Sequence, residues 1–385
     1  MKRAGNLWRQ LTSFENLLQA AHRAAAGKRR RPDVAAFLMN LEGEVLAIQR
    51  ELIEGTYRPG PYHNFVVTHP KRREISAARF RDRVVHHALT RVIEPIFERR
   101  FSRDSFACRK GFGTHRALSG ARMGAAKYRY ALKGDVRKYF ASIDHEILKQ
   151  LLARVIKCKP TLELAGRIID GSCPQEEIIS YFPGDDLFTP FERRRGLPLG
   201  NQTSQFFANV VLDQLDQFVN RQLRPGLYAR YVDDFLLFDD SRERLIQFRE
   251  AITRLLWKLR LEPHQRKFHI RLVSDGITFL GWRIFPDRTR LVRENVVRFR
   301  KRMRLLVRDF LEGKHGWQDV RQRVRAWIAH AAHGDTWKLR QTLFEQFAFG
   351  PAGARSDSAR GVVDQRFIKP CGVEPQSERS GEPER

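Results

Sequence analysis

The stretch LYARYVDDFLLF, residues 227–238, sets Asp233 and Asp234 side by side inside a run of strand-forming apolar and aromatic residues. Such a run folds as a hairpin with its flanks in the core. The two carboxylates then lose water and repel each other unless a cation lies between them. A plain turn would take Asn-Gly or Asp-Gly, so the acidic pair is expected to be the tight turn itself, with its oxygens projected to one side. Hard oxygen donors of this kind suit Mg²⁺ that is shared with substrate phosphates. The other acidic pairs need no cation: Asp185-Asp186 follows Pro183-Gly184 in a loop, and Asp239-Asp240 precedes a helix whose free N–H groups it can cap.

A metal held by two carboxylates wants a third from another strand. Asp135, at the end of the strand-like LKGD and just before a helix, is the best placed. Two Mg²⁺ ions on Asp135, Asp233 and Asp234 would serve an in-line phosphoryl displacement, which is nucleotidyl transfer or nuclease chemistry. The charge agrees. Over 385 residues, 71 Lys plus Arg stand against 44 Asp plus Glu, a formal +27, which asks for a polyanionic partner. Residues 287–340 alone carry a net +9, with Arg300, Arg304 and Arg308 four apart on one helix face and Phe299, Met303, Leu306 and Phe310 on another. That helix is expected to pack on one side and meet phosphate on the other.

Upstream, Ser13 can cap and Gly27 can stop a first helix, the pattern repeats from Asp33 to Gly55, and KRRRP between them reads as a solvated charge run, with nucleic-acid contact as the weaker reading. NFVVTHPKRREISAARF alternates like a hairpin with Lys71, Arg72 and Arg73 at its turn. No apolar run approaches the roughly 18 residues of a spanning helix and the N-terminus lacks a signal-peptide core, so a cytoplasmic, membrane-free protein is expected. Cys108, Cys158, Cys173 and Cys371 form no CxxC pair, which speaks for reduced structural thiols, and His330 with His333 reads as packing or RNA contact.

These residues resemble the reverse transcriptases. YVDD looks like their active-site hairpin and DVRKYFASIDHEIL like their first aspartate motif. RDRVVHHALTRVIEPIFERRF, SFACRKGFGTHRAL, GLPLGNQTSQFFANVVL, HQRKFHI and FLGW follow the family order. The resemblance implies an α+β right-hand polymerase fold: an N-terminal helical region 1–58, fingers 59–130, a palm 131–286 of antiparallel sheet backed by helices, a basic helical thumb 287–350, and a disordered tail 351–385. It implies that Asp135, Asp233 and Asp234 hold two Mg²⁺ ions. Lys71, Arg72, Arg73 and Arg81 would steer the deoxynucleoside triphosphate, Phe140 would lie beneath the sugar and exclude a 2′-hydroxyl, and Lys267 would approach the pyrophosphate. Phe279, Leu280 and Gly281 would form the primer grip.

Within the family the chain looks most like the enzymes of diversity-generating retroelements in the bacterial group II intron-like lineage. LGNQTSQ stands where most relatives begin Gln-Gly and end Ser-Pro, so Leu199, Gly200, Asn201 and Gln205 would loosen selection against the template base. Errors at template adenines, a template RNA with its primer, and a small basic helical accessory protein follow from that likeness. Arg79 and Ala141 depart from the family pattern, which usually has Pro and Asp there. No RNase H or endonuclease domain is expected after residue 350. Alternatives are a defence-associated or uncharacterised bacterial reverse transcriptase, a non-catalytic RNA-binding module on a polymerase fold, and a two-metal nuclease.

Overall fold

The protein is described by a computed structural model covering residues 2–68, 72–172 and 178–347. Lys71, Cys173, Cys371 and the expected tail 351–385 lie outside these residues. The chain divides into two compact units, the first ending at Val273 and the second starting at Ser274.

The first unit begins with helices set by local signals. Ser13 accepts from Asn16 N at 3.3 Å and caps Phe14–Ala25, and Gly27, at φ +69°, ends it. The expected Asp33 to Gly55 helix is two, Pro32–Met39 and Leu41–Ile53, broken at Asn40. Strands β1 (His63–Val67) and β2 (Arg73–Ala77) form the expected antiparallel hairpin. The 19-residue helix Phe80–Glu98 follows and packs along Phe14–Ala25.

The centre of this unit is a four-stranded antiparallel sheet of β3 (Tyr130–Asp135), β4 (Leu227–Tyr231), β5 (Asp234–Asp239) and β6 (His269–Leu272), in the order β4-β5-β3-β6. Phe235, Leu236, Leu237 and Phe238 of β5 are wholly buried, so this strand is covered on both faces. Gly134 lets β3 pass it: a Cβ there would come within 2.1 Å of the Phe235 ring. Helices including Gln202–Phe218 and Arg242–Lys258 complete the core behind the sheet. Asp144 Oδ1 caps His145–Ala153 through Ile147 N, and Ser241 caps Arg242–Lys258 while Asp239 holds the Ser241 N–H.

The second unit contains a three-stranded sheet, β7 (Ile277–Phe279), β8 (Trp282–Ile284) and β9 (Thr289–Leu291), followed by helices Arg293–Leu311, Trp317–Ala331 and Trp337–Glu345. β7 and β8 pair with β9 and not with the four-stranded sheet, so the division into compact units at 273/274 precedes the palm–thumb boundary expected at 286/287. Phe299, Met303 and Leu306 are buried and Phe310 packs against them, as the apolar stripe predicted. His330 lies against the Trp282 ring, a packing role. Among the described residues, Cys108 and Cys158 are free thiols, and no helix is long and apolar enough to cross a membrane.

His86 on Phe80–Glu98 is buried with neither ring nitrogen hydrogen-bonded, and burial pushes its pKa down to about 3. The folded state therefore refuses a proton that the unfolded chain accepts below about pH 6.5, so stability is lost as pH falls through that window. Thermal scans should show a decline from pH 6 to pH 4 that His86→Met reduces by about 3 kcal/mol at pH 4; identical declines would refute the burial argument.

Candidate active site

Asp135 is the last residue of β3 and sits directly across from Asp234, the first residue of β5. Opposed residues of an antiparallel pair share a face, so the register alone brings these carboxylates together. Tyr231 pairs with Asp234, which makes Val232-Asp233 the two-residue turn. The turn is thus one residue earlier than expected: Asp233 is its second residue, and Asp234 already belongs to the strand. Val232 has φ +56° and Asp233 does not share that sign, the pattern of a type II′ turn. A β-branched residue in that region is strained by roughly 1–3 kcal/mol.

The carboxylates are short of positive charge. Burial and then the Asp135 charge raise the pKa of Asp233. Asp234 is pushed up to about 7, by burial foremost, with Asp135 and Asp233 adding to it against the pull of Lys133. Its Oδ1 is buried without a hydrogen-bond partner, and Lys133 Nζ is 3.7 Å away. Lys267 Nζ donates to Asp135 Oδ2 at 2.7 Å, from a turn pinned by His264 N donating to the Asp135 carbonyl at 2.7 Å. Among the described residues no three His, Cys, Asp or Glu side chains converge into a ready-made metal cluster. The corner is an open set of hard oxygen donors with one orphaned atom, and it fits a divalent cation that takes its remaining ligands from substrate phosphate and water.

A buried network braces the turn from inside. Arg230 on β4 is 1% exposed and lies against Asp216 of Gln202–Phe218, 0% exposed, with Nε donating at 2.7 Å and Nη2 at 2.5 Å. The same guanidinium donates to the Val232 carbonyl at 2.8 Å, Ser105 Oγ at 2.8 Å and Asn209 Oδ1 at 3.3 Å, and Tyr228 Oη donates to Asp216 at 2.7 Å. Burial disfavours the Arg230 charge, but Asp216 more than offsets this and keeps it protonated. Neither residue was expected from sequence. The signal was there: Arg230 is in phase with buried Tyr228 on β4, and Asp216 with the apolar face of its helix.

The remaining expected residues divide. The charge of Arg73 reaches Asp233 and lowers its pKa, and Arg72 is exposed beside it. The Arg81 guanidinium forks onto Glu51 at 2.7 and 2.8 Å, with Glu44 at 3.8 Å, an ion pair to Leu41–Ile53. Phe140 is half-buried beside Tyr139, and its carbonyl accepts from Leu197 N at 2.8 Å. Asn201 is 3% exposed and spends its amide on the backbone of Ser76 and Ala78, so it clamps β2 and does not face a base. Leu199 O accepts from Ser76 N, Gly200 takes φ +110° with Ile75 against it, and Gln205 is exposed.

In the second unit, Phe279 is buried, while Leu280 and Gly281, at φ +49° and +83°, form the β7–β8 turn. The Gly281 carbonyl accepts from Val292 N at 3.1 Å and Asn295 Nδ2 at 3.2 Å. Arg304 is exposed and Arg300 half-buried with its Nε unpartnered. Arg308 is paired with Asp309 at 3.1 Å and Glu312 at 3.8 Å.

Residues 67–284 match the family model described as reverse transcriptase (RNA-dependent DNA polymerase). The chain is 24% identical to protein YkfC of Escherichia coli over 66% of its own length and 74% of that protein. It is 36% identical to nuclear intron maturase 1 of Arabidopsis thaliana over 22% of its length and 12% of that protein. It is 25% identical to the group II intron-encoded protein LtrA of Lactococcus lactis over 46% of its length and 28% of that protein. The chain thus spans only a small part of the two intron proteins. The chain belongs to the reverse transcriptase (RNA-dependent DNA polymerase) family, with the right-hand polymerase fold.

Proposed function

We propose that this chain copies an RNA template into complementary DNA at the corner formed by Asp135, Asp233 and Asp234, within a diversity-generating retroelement. The observation that carries the chemistry is the Asp135–Asp234 register with its orphaned, buried Oδ1. Two Mg²⁺ ions bound to these carboxylates would lower the pKa of the primer 3′-hydroxyl and neutralise the departing pyrophosphate oxygen. The chain's own residues do the rest. Asp135 is paired with Lys267 at 2.7 Å, and with a cation held by Asp135 the Lys267 ammonium would be free to meet the triphosphate. Arg73, already felt by Asp233, and the exposed Arg72 steer the same triphosphate. Lys71 is assigned with them from the sequence alone. Phe140 bounds the sugar, and its backbone bond to Leu197 ties that ring to the segment carrying Leu199 and Gly200.

The retroelement reading rests on that segment. Asn201 locks it to β2 while leaving its own amide unavailable to a base, which supports a template contact made by backbone and shape with little base discrimination. Phe279–Gly281 is proposed as the primer grip and Arg300 and Arg304 as phosphate contacts. A template RNA and a small basic accessory protein are the proposed partners.

Primer extension on RNA with Mg²⁺ and deoxynucleotides, with every product sequenced, tests both levels. Full-length cDNA with errors concentrated opposite template adenines is expected. Errors spread evenly would move the chain to another bacterial reverse transcriptase role, and no extension with native RNA and the accessory protein present would remove the polymerase assignment.

A further inference from the structure

Tyr181, Leu187, Phe188 and Phe191 are each more than half exposed, on the segment that joins Lys159–Asp170 to Gln202–Phe218. They form one knuckle. Tyr181 Oη donates to the carbonyl of Leu187, the neighbour of Phe188, at 3.3 Å, and Phe191 N donates to the Phe188 carbonyl at 2.9 Å. Single exposed apolar side chains are ordinary, but four adjoining ones are not. Nor is the segment loose. Asp185 accepts from Phe182 N at 2.7 Å and pairs with Arg193, which also reaches Asp144 at 3.5 Å at the start of His145–Ala153. Asp186 accepts from Phe188 N at 3.0 Å and from Thr189 N at 2.7 Å. These polar groups brace the loop, which fixes an apolar face toward water.

The same unit carries a hollow of complementary character. His145–Ala153 and Lys159–Asp170 flank a groove of about 500 Å³, lined by Leu152, Leu162 and Gly166 together with Lys149, Lys159 and Arg167. Two acids share the lining: Asp170 lies 2.8 Å from Lys149, and Glu163 lies 4.0 Å from Lys159. Arg167, held by the Gly55 carbonyl at 3.0 Å, leaves the groove one cation in excess. A Cβ at Gly166 would meet nothing within 4 Å. The packing of this chain therefore has no need of glycine there, although glycine weakens a helix relative to alanine. A bulky guest approaching the helix backbone does need it. Arg194 Nη1 lies 3.8 Å from Asp170 Oδ1, so the knuckle stands at the end of the groove, with its own side chains left in water.

We infer that the knuckle of one copy of this chain seats in the groove of a second copy, and the reverse, in a two-fold dimer. The rings and Leu187 meet Leu152 and Leu162 above Gly166. Asp186 and Glu192, both exposed on the knuckle, bring negative charge to a cationic groove, which a chain of +27 needs where it meets itself. The size agrees. With roughly 200 Å² to a whole aromatic side chain, one knuckle leaves on the order of 400–500 Å² in water. Two knuckles in two grooves then bury about 1,600 Å², the standard size of a stable interface. Knuckle and groove are neighbours on one chain, so a two-fold axis closes both contacts together and ends the assembly at two copies. No residue of the carboxylate corner takes part, and the dimer stands or falls separately from the polymerase chemistry.

The test is sedimentation velocity of the full chain, freed of nucleic acid by nuclease and high salt, across a concentration series. Wild type should pass from monomer to dimer. The Phe188→Ser, Phe191→Ser double variant takes away the knuckle, and Gly166→Trp fills the groove. None of these positions lies in the core, and thermal midpoints verify the folds. Each variant alone should dimerise at least about thirtyfold more weakly. Mixed, the two should recover dimers, because the intact knuckle of the Gly166→Trp chain meets the open groove of the other and one of the two contacts survives. Wild type that stays monomeric throughout would overturn the proposal. Loss in only one of the two variants would break the pairing of knuckle with groove and overturn it as well. Dimers that persist in both would assign the association to another face. Two weakened variants that remain monomeric when mixed would show that neither seats in the other.

Discussion

Asp234→Asn should abolish nucleotide addition, by more than about a thousandfold or roughly 4 kcal/mol of barrier, while making the metal-free protein more stable at pH 8. The two effects share one cause. Asp234 has a folded pKa near 7 against an ordinary carboxylate value, so the folded state holds a proton that the unfolded chain has lost. Its contribution is fully present below about pH 4 and is lost as pH rises through 7. Above that, the ionised carboxylate opposes folding. About a fifth of its side chain is still accessible, which limits the cost to about 2 kcal/mol. Asparagine removes it, so the variant should melt higher than wild type at pH 8 with chelator and no higher at pH 4. Added Mg²⁺ should stabilise wild type more strongly at pH 8, since the metal then displaces no proton. Unchanged melting of the variant at pH 8 would refute the electrostatic cost, and retained extension would refute the catalytic assignment.

The carboxylate corner was legible because it is expensive. Two aspartates between YARYV and FLLF have no structural use, and a strand-terminal Asp135 offered the third. Local signals also carried the caps at Ser13, Asp144 and Ser241, because the partner N–H lies within three residues. What failed depended on distant partners. The turn slipped by one residue because the Tyr231–Asp234 pairing, not the identity of the acids, sets it. The ion pair of Arg81 with Glu51 was not legible because Glu51 lies thirty positions away along the chain. The pairing of β7 and β8 with β9 was not legible, since alternation identifies a strand but not its partner. By contrast, KRRRP read as solvated, and all five of its residues are exposed.

Arg230→Met should cost about 3–5 kcal/mol of stability, because it leaves Asp216 charged and uncompensated in the core. Loss of activity would then say little by itself. Replacing both partners, Arg230→Met with Asp216→Leu, removes two buried charges together, and urea unfolding should return to within about 1–2 kcal/mol of wild type. Extension should not return with it. The guanidinium also holds the Val232 carbonyl, and without that bond Val232 relaxes from φ +56° and carries Asp233 out of register with Asp135 and Asp234. Maximal rate should fall at least tenfold with little change in nucleotide KM, since Arg230 touches the turn and not the triphosphate. Val232→Gly supplies the rescue. Glycine takes positive φ without strain, so adding it to the stable double variant should restore much of the rate. A double variant that folds and extends at the wild-type rate would make the brace purely structural. A folded but slow one that glycine fails to rescue would place the defect elsewhere in the network, at Ser105 or Asn209. Rescue would mean that the strained turn is kept in its active shape by a buried ion pair behind it, which is why a chain that could fold with apolar residues at 216 and 230 carries charges there.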